Sequence, residues 1–490
     1  MKLKQRMGDF RVRELLRRDY LTSEGEHRVY RVTKRKVTSD EAARVLAREA
    51  GVESGDVHLA GLKDRQGLTI QFMSVLRGRE VRVASPELLI EVVGFARTAL
   101  TSEDSLGNAF ELTVRELGRG DIHRLRLNLP LMRDFGTINY FDEQRFGNLT
   151  HGQSWIYREL CLGNAEKALR DLLGARSPRD DDRHRRFKDG IARHWGDWRE
   201  CRDDAGRFGA HHSIFEYLTK NDGDFAGAFQ HVATRVKLIH LYAWQSHLWN
   251  RALVEWMRKL LPVEERVVID GGEEGVLIAY RAEPPAALRA RRTFPLPGER
   301  LEGVEEPELL ALFEQVLASE GLSREQMVVT GIPGFALKSE ARELFVHPQH
   351  LRVRPPEDDN LNPGCAAVCV RFELPRGAYA SWVTKRLLYE SVGERRERRD
   401  SQSERRDGPS EPRDGAGERR DGRFERRGPA SHDRPAPGPF PQSGERGRRE
   451  PWRRGADGGP GGAGPRGAGP RRGGPRDGGR GPGRGYGERT

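Results

Sequence analysis

The chain has 490 residues, enough for two or three domains with cores of their own. Hydrophobic residues make up 36%, and the net charge of +11 is concentrated at one end: residues 394–490 hold 25 Arg and 16 acidic residues, a net +9, which leaves +2 for residues 1–393. No run of about 18 apolar residues occurs, which excludes a transmembrane helix. The N-terminus, Met1-Lys2-Leu3-Lys4-Gln5-Arg6, lacks the apolar stretch of a secretory signal. Four cysteines do not make a disulfide framework, so a reducing cytoplasm is the expected compartment. Cys365 and Cys369 have no second Cys/His pair at ligand spacing and are expected to be buried free thiols, not half of a metal site.

In chain order, Thr38-Ser39-Asp40-Glu41 reads as a capping box, with Thr38 as the cap and Glu41 at the third position. Val45, Leu46 and Ala50 then supply a helical apolar face, and Gly51 the stop. Residues 57–62 read as a strand and residues 63–67 as a polar loop. Residues 68–74 alternate Leu68, Ile70 and Phe72 with Thr69, Gln71 and Met73, a second strand. A further strand is expected over 110–114, followed by a Gly- and aromatic-rich stretch over 135–147. Beyond it the texture is helical: a helix over 165–173, a mixed charge run at 179–186 read as a solvated loop, and a long helical segment from 225 to about 260. The Trp residues of that segment, Trp244, Trp249 and Trp256, have the spacing of core positions. A strand over 366–374 and a short helix over 381–392 follow. His211-His212 and His347/His350 lack an acidic partner at ligand spacing and read as surface or structural residues.

Three segments stand out: Ala60-Gly61-Leu62-Lys63-Asp64-Arg65-Gln66-Gly67-Leu68-Thr69-Ile70-Gln71, Asn139-Tyr140-Phe141-Asp142-Glu143-Gln144-Arg145-Phe146-Gly147, and Leu374-Pro375-Arg376-Gly377-Ala378-Tyr379-Ala380-Ser381. Together they resemble the tRNA pseudouridine synthase D family. Weaker matches at Lys4, Asp9-Phe10, Gly25-Glu26-His27 and Gly107-Asn108-Ala109-Phe110 keep the family's order. Gly67 stands where the family has Ala, Asp142 where it has Gly, and Ser381 where it has Thr. Basic residues usual before Gly-Asn-x-Phe are thin at Thr101-Ser102-Glu103-Asp104-Ser105.

The resemblance covers about residues 4–392. It implies an α+β chain with the pseudouridine synthase fold: a mixed, mainly antiparallel sheet with an inserted family-specific α/β domain. Residues 1–160 would form the first part of the catalytic domain, 161–346 the insertion and 347–393 the closing part. It further implies isomerisation of uridine to pseudouridine in tRNA, at position 13 of the D arm, without metal or other cofactor.

That chemistry needs a carboxylate at the base–ribose junction, as nucleophile or as base, and a pocket for a nucleotide taken out of its stack. Asp64 is the candidate carboxylate. The tripeptide Lys63-Asp64-Arg65 alone also fits a solvated turn, and the surrounding motif selects the catalytic reading. Asn139, Phe141 and Tyr379 match family residues near the target base, and Lys4 and Phe10 match N-terminal site positions. Gln144 and Arg145 fit either loop support or phosphate contact.

The tail, 394–490, lies outside the resemblance, cannot bury apolar area and is expected to be disordered. Its arginines with Phe424, Phe440, Trp452 and Tyr486 suit salt-sensitive contact with RNA. An alternative of another class is an RNA-binding or chaperone protein on a synthase scaffold; the intact Asp64 motif speaks against it, since a pure binder needs no such carboxylate.

Overall fold

A computed structural model of the chain describes residues 1–389 apart from 64, 66, 148–153, 178–179, 207–208 and 210. The candidate catalytic residue Asp64 and the tail 394–490 therefore lie outside the described residues. The chain divides into two units, 1–410 and 411–490, and every described residue belongs to the first.

The expected capping box forms. The Thr38 hydroxyl accepts from the Glu41 amide at 3.1 Å, and the Glu41 carboxylate accepts from the Thr38 amide at 2.7 Å. These bonds satisfy amides that a helix start leaves without partners. Helix α1, Ser39–Ala50, ends at Gly51 with φ 71°, the left-handed conformation glycine adopts at little cost. Ala42, Ala43, Leu46, Ala47 and Ala50 are buried against Tyr30, Val32, Met73 and Val75, while Val45 stands at the edge of that face.

Among the described residues the main sheet has ten strands. Its central ones are β1 (Phe10–Leu16), β2 (His27–Arg35), β3 (Leu68–Leu76), β4 (Leu88–Ala96), β5 (Ser105–Leu117), β6 (Gln349–Val353) and β7 (Ala366–Pro375), in the order β6-β7-β5-β1-β3-β2-β4. The pair β1–β3 is parallel, with Arg11 opposite Leu68. The other neighbours in this path are antiparallel. Strands from opposite ends of the chain thus share one sheet. Helices α2 (Arg119–Phe135) and α4 (Ala380–Leu388) cover part of it, burying Leu125, Met132, Val383 and Leu387 against Phe10, Val12, Leu112 and Phe372.

Between β5 and β6 the chain is mostly helical. Its longest helix, α3 (Thr234–Leu260), buries Trp244, Leu248, Trp249 and Trp256, as their spacing predicts. No helix among the described residues is long and apolar enough to cross a membrane.

Three expectations change, and one face that alternation left open is settled. The strand expected over 57–62 is only Val57–His58, because the chain turns away at Leu59. In β3 the buried side is Thr69, Gln71, Met73 and Val75, while Leu68, Ile70 and Phe72 are half-buried. Of the two polar residues on that side, Gln71 accepts through Oε1 from the Ser39 hydroxyl at 2.7 Å. Leu68 and Ile70 instead pair across the sheet with Arg11 and Arg13. The charge run at 179–186 becomes helical from Asp182, since Asp181 caps that helix by accepting from the His184 amide at 2.8 Å. Cys365 and Cys369 are free thiols as expected, but only half-buried. Cys369 lies between the inward-facing Val368 and Val370 and so points to the other side of its strand.

Candidate active site

A cleft of about 710 Å³ opens beside β1, β3 and β5, with α3 and the start of α4 on its rim. Phe10, Phe110 and Tyr379 contribute aromatic wall. Lys63, Arg65, Arg145 and Arg235 line it against one carboxylate among the described lining residues, Asp40.

The two residues flanking Asp64 are tied to the scaffold. Lys63 is held at three points. Its amide donates to Ser39 Oγ at 3.0 Å, and its carbonyl accepts from Lys34 Nζ at 3.0 Å. Its ammonium pairs with Glu14 Oε1 at 2.6 Å, a pair with side chains 11% and 1% exposed. The second oxygen of Glu14 accepts from the Phe72 amide at 2.9 Å, so this carboxylate links β1, β3 and the loop. Arg65 donates through Nε to the Lys36 carbonyl at 2.9 Å. A buried charge is stable only when paired and hydrogen-bonded, and here that requirement fixes the Lys63 side of the loop, while the exposed Arg65 is held by its bond to Lys36.

The five described site candidates fall in different places. Phe10 and Tyr379 line the cleft. Lys4 sits with its ammonium 4.1 Å from the centre of the Phe10 ring, a cation–π distance. Phe141 stands next to Tyr379, ring centres 6.2 Å apart, and edge-on to Trp249 at 5.5 Å. Asn139 does not line this cleft. It borders a neighbouring hollow of about 700 Å³, and its amide is committed inside the protein. Nδ2 donates to the Glu343 carbonyl at 3.0 Å, while Oδ1 accepts from Arg342 at 2.9 Å.

Arg342 joins these groups. It also donates to the carbonyls of Asn139 and Gly377, at 3.0 and 2.9 Å, and lies 3.9 Å over the Phe141 ring. No carboxylate pairs with it among the described residues. Burial, with Arg145 adding like-charge repulsion, lowers its pKa to about 10. Burial raises the Tyr379 phenol, and the two guanidinium groups partly offset that.

Asn250 on α3 clamps Phe141 from behind. Its Oδ1 accepts from the Phe141 amide at 3.1 Å, and its Nδ2 donates to the Phe141 carbonyl at 2.9 Å. Arg342, Lys34, Glu14 and Asn250 were not singled out by the sequence. For Glu14 and Lys34 a signal existed, because both occupy the buried register of alternating strands, where a charge needs a reason.

The motif departures have local causes. A Cβ at Gly67 would stand 2.7 Å from the Phe10 carbonyl oxygen, so the loop here lies too close to β1 for the usual Ala without a shift. Asp142, in place of Gly, is buried and accepts from Lys385 of α4 at 2.8 Å, tying the second motif to the helix after the third. Gly107, with φ 148°, is needed where β5 crosses β7: a Cβ there would meet the Leu374 carbonyl oxygen at 2.0 Å. That approach sets Asn108 and Phe110 beside the third motif, at the cleft.

The sequence model of the family described as tRNA pseudouridine synthase D (TruD) matches residues 1–387. A Methanocaldococcus jannaschii protein, "Probable tRNA pseudouridine synthase D 2", is 31% identical over 419 residues, covering 81% of this chain and 94% of its own length. The tRNA pseudouridine synthase D of Leptospira interrogans is 25% identical, over 79% of this chain and 96% of its own. Among solved structures, a Methanosarcina mazei protein of the same description shares the fold. Its TM-score is 0.59 at 23% identity, covering 80% of this chain and 94% of that one.

Proposed function

We propose that this chain, which belongs to the tRNA pseudouridine synthase D family and is a tRNA pseudouridine synthase, acts on the uridine at position 13 of the D arm with Asp64 as its catalytic carboxylate. The observation that carries the residue assignment is the anchoring of Lys63 and Arg65, on either side of Asp64, at the wall of an aromatic, cationic cleft.

In this reading the target uridine leaves its stack and enters the cleft. Asp64 acts at the base–ribose junction as nucleophile or base. The N1–C1′ bond breaks, the uracil turns, and C5 joins C1′; C5 gives up a proton and N1 gains one. Phe10 and Tyr379 hold the base, Lys4 adds charge beside Phe10, and Phe141 backs Tyr379. Asn139 acts through Arg342, which ties its amide to the Phe141 ring and the Gly377 carbonyl.

Residues 1–160 and 347–393 form the catalytic domain in this proposal, and 161–346 the insertion. Its support is the single sheet shared by strands from 10–117 and 349–375. The setting is cytoplasmic, and residues 394–490 add a non-specific contact to RNA.

Mass-spectrometric mapping of tRNA treated with the purified protein tests the assignment. Wild type is expected to form pseudouridine at position 13, and Asp64→Ala none while its thermal unfolding is unchanged. Equal product from both proteins overturns the role of Asp64. Product at another position from wild type overturns the site in tRNA.

A further inference from the structure

Helix α3 is buried over most of its length, but one stripe is not. Arg235, Ile239 and Tyr242 follow at spacings of four and three, so they share a face. Ile239 is 36% and Tyr242 40% exposed; across the cleft Leu62 is 53% exposed. Single exposed apolar side chains are ordinary. Here Ile239 and Leu62 both line the cleft that also holds Lys63, Arg65, Arg145 and Arg235. Tyr242 adjoins it through Arg145, whose guanidinium lies 5.5 Å from the Tyr242 ring and 5.5 Å from the Phe141 ring. Arg145 is kept there by the buried Ser246, one turn beyond Tyr242, which accepts from its Nε at 3.0 Å. No carboxylate pairs with Arg145 or Arg235 among the described residues.

We propose that Arg235, Ile239 and Tyr242 of α3, together with Arg145, form a subsite for a nucleotide adjoining the target uridine, its base against Ile239 and Tyr242 and its phosphate against the two guanidinium groups. This rests on reading the cleft as the uridine site. Cationic side chains interleaved with exposed apolar surface are what a single-stranded nucleotide requires. The base has an apolar face to cover and the backbone a negative charge to neutralise. The excess of cations is local, since residues 1–393 carry only +2. A flipped uridine leaves its neighbours partly unstacked, and this stripe would cover one of them close to Phe141.

A binding cycle tests the proposal on the full chain, with unmodified tRNA transcript as the probe. Its partner RNAs are transcripts carrying an abasic residue immediately 5′ or 3′ of the target uridine. Tyr242→Ala is expected to bind intact tRNA about tenfold more weakly than wild type. Tyr242→Phe, which keeps the ring, should bind like wild type. One abasic RNA should bind wild type about tenfold more weakly and show no further loss with Tyr242→Ala. Arg235→Ala should weaken binding of every RNA and flatten its salt dependence. Val263→Ala, an exposed position elsewhere, serves as the unaffected control.

Wild-type affinity for Tyr242→Ala overturns the subsite, and so do losses that multiply on both abasic RNAs. These readings are of affinity and do not need turnover. Failure of wild type to make pseudouridine in the intact transcript would instead overturn the reading of the cleft.

Discussion

Lys34 sits at the buried register of β2 and donates to the carbonyls of Val37 and Lys63, both at 3.0 Å. It therefore joins the residues before α1 to the residue before Asp64. A hydrogen bond from a charged donor is typically worth about 1.5–3 kcal/mol when its partner would otherwise be left unsatisfied. Lys34→Met is expected to lower the single-turnover rate about tenfold or more, about 1.4 kcal/mol in the barrier, with tRNA affinity changed less than twofold. A wild-type rate for a folded Lys34→Met protein would show that the flank of Asp64 needs no such anchor.

At the scale of single residues the sequence is most legible where the pattern is local. The loop 63–67 and the Asn139-Tyr140-Phe141 run are short strings, marked by their match to the family motifs and not by residue type alone. Arg342 was invisible for the opposite reason. Its bonds to Asn139 span 203 positions, and nothing near Arg342 in sequence marks it. Asn139 shows the same limit: its amide is of the type that can read a uracil edge, yet here it is satisfied by Arg342 and the Glu343 carbonyl.

Helix α3 carries the cleft stripe on one face and a buried charge cluster on another. His247 lies between Glu274 and Glu320, its ring nitrogens 3.0 and 3.1 Å from their carboxylates. Burial opposes its charge, but the two carboxylates outweigh burial and raise its pKa to about 9. Arg158 in turn faces Glu320 at 3.4 Å. The second Glu274 oxygen accepts from Asn250 at 3.2 Å, and Asn250 clamps Phe141, so the cluster supports the clamp.

A raised folded-state pKa means stability that is complete below the unfolded value of about 6.5 and is lost as pH rises through about 9. Urea unfolding is accordingly expected to show a loss on the order of 2 kcal/mol between pH 6.5 and 9.5. His247→Gln should lack this slope, though it is less stable at pH 6.5. A parallel pH dependence in both proteins would assign the slope to other groups. Element existence was readable from the sequence in α1, β3, β5, β7 and α4, because capping and alternation are local. Which face of β3 is buried was not, because pairing with β1 and β2 decides it.

Across the whole molecule, charge is arranged in two ways. Residues 1–393 are nearly neutral at +2, yet gather Lys63, Arg65, Arg145 and Arg235 at one cleft. Residues 394–490 carry +9 with little apolar material, a composition that supplies attraction for an anionic partner. Binding by such a segment releases counterions, and each phosphate it neutralises adds about 0.7–0.9 to the slope of log affinity against log salt. Removing residues 394–490 is therefore expected to weaken tRNA binding at low salt and to flatten that slope by at least one such contact. The position modified should stay the same, as the proposed choice of the uridine in the cleft requires. Affinities measured by equilibrium binding across a salt series, beside pseudouridine mapping at each salt, separate the two contributions. Coincident binding curves would remove the tail from RNA contact. A changed modification site would mean that the tail takes part in choosing the uridine.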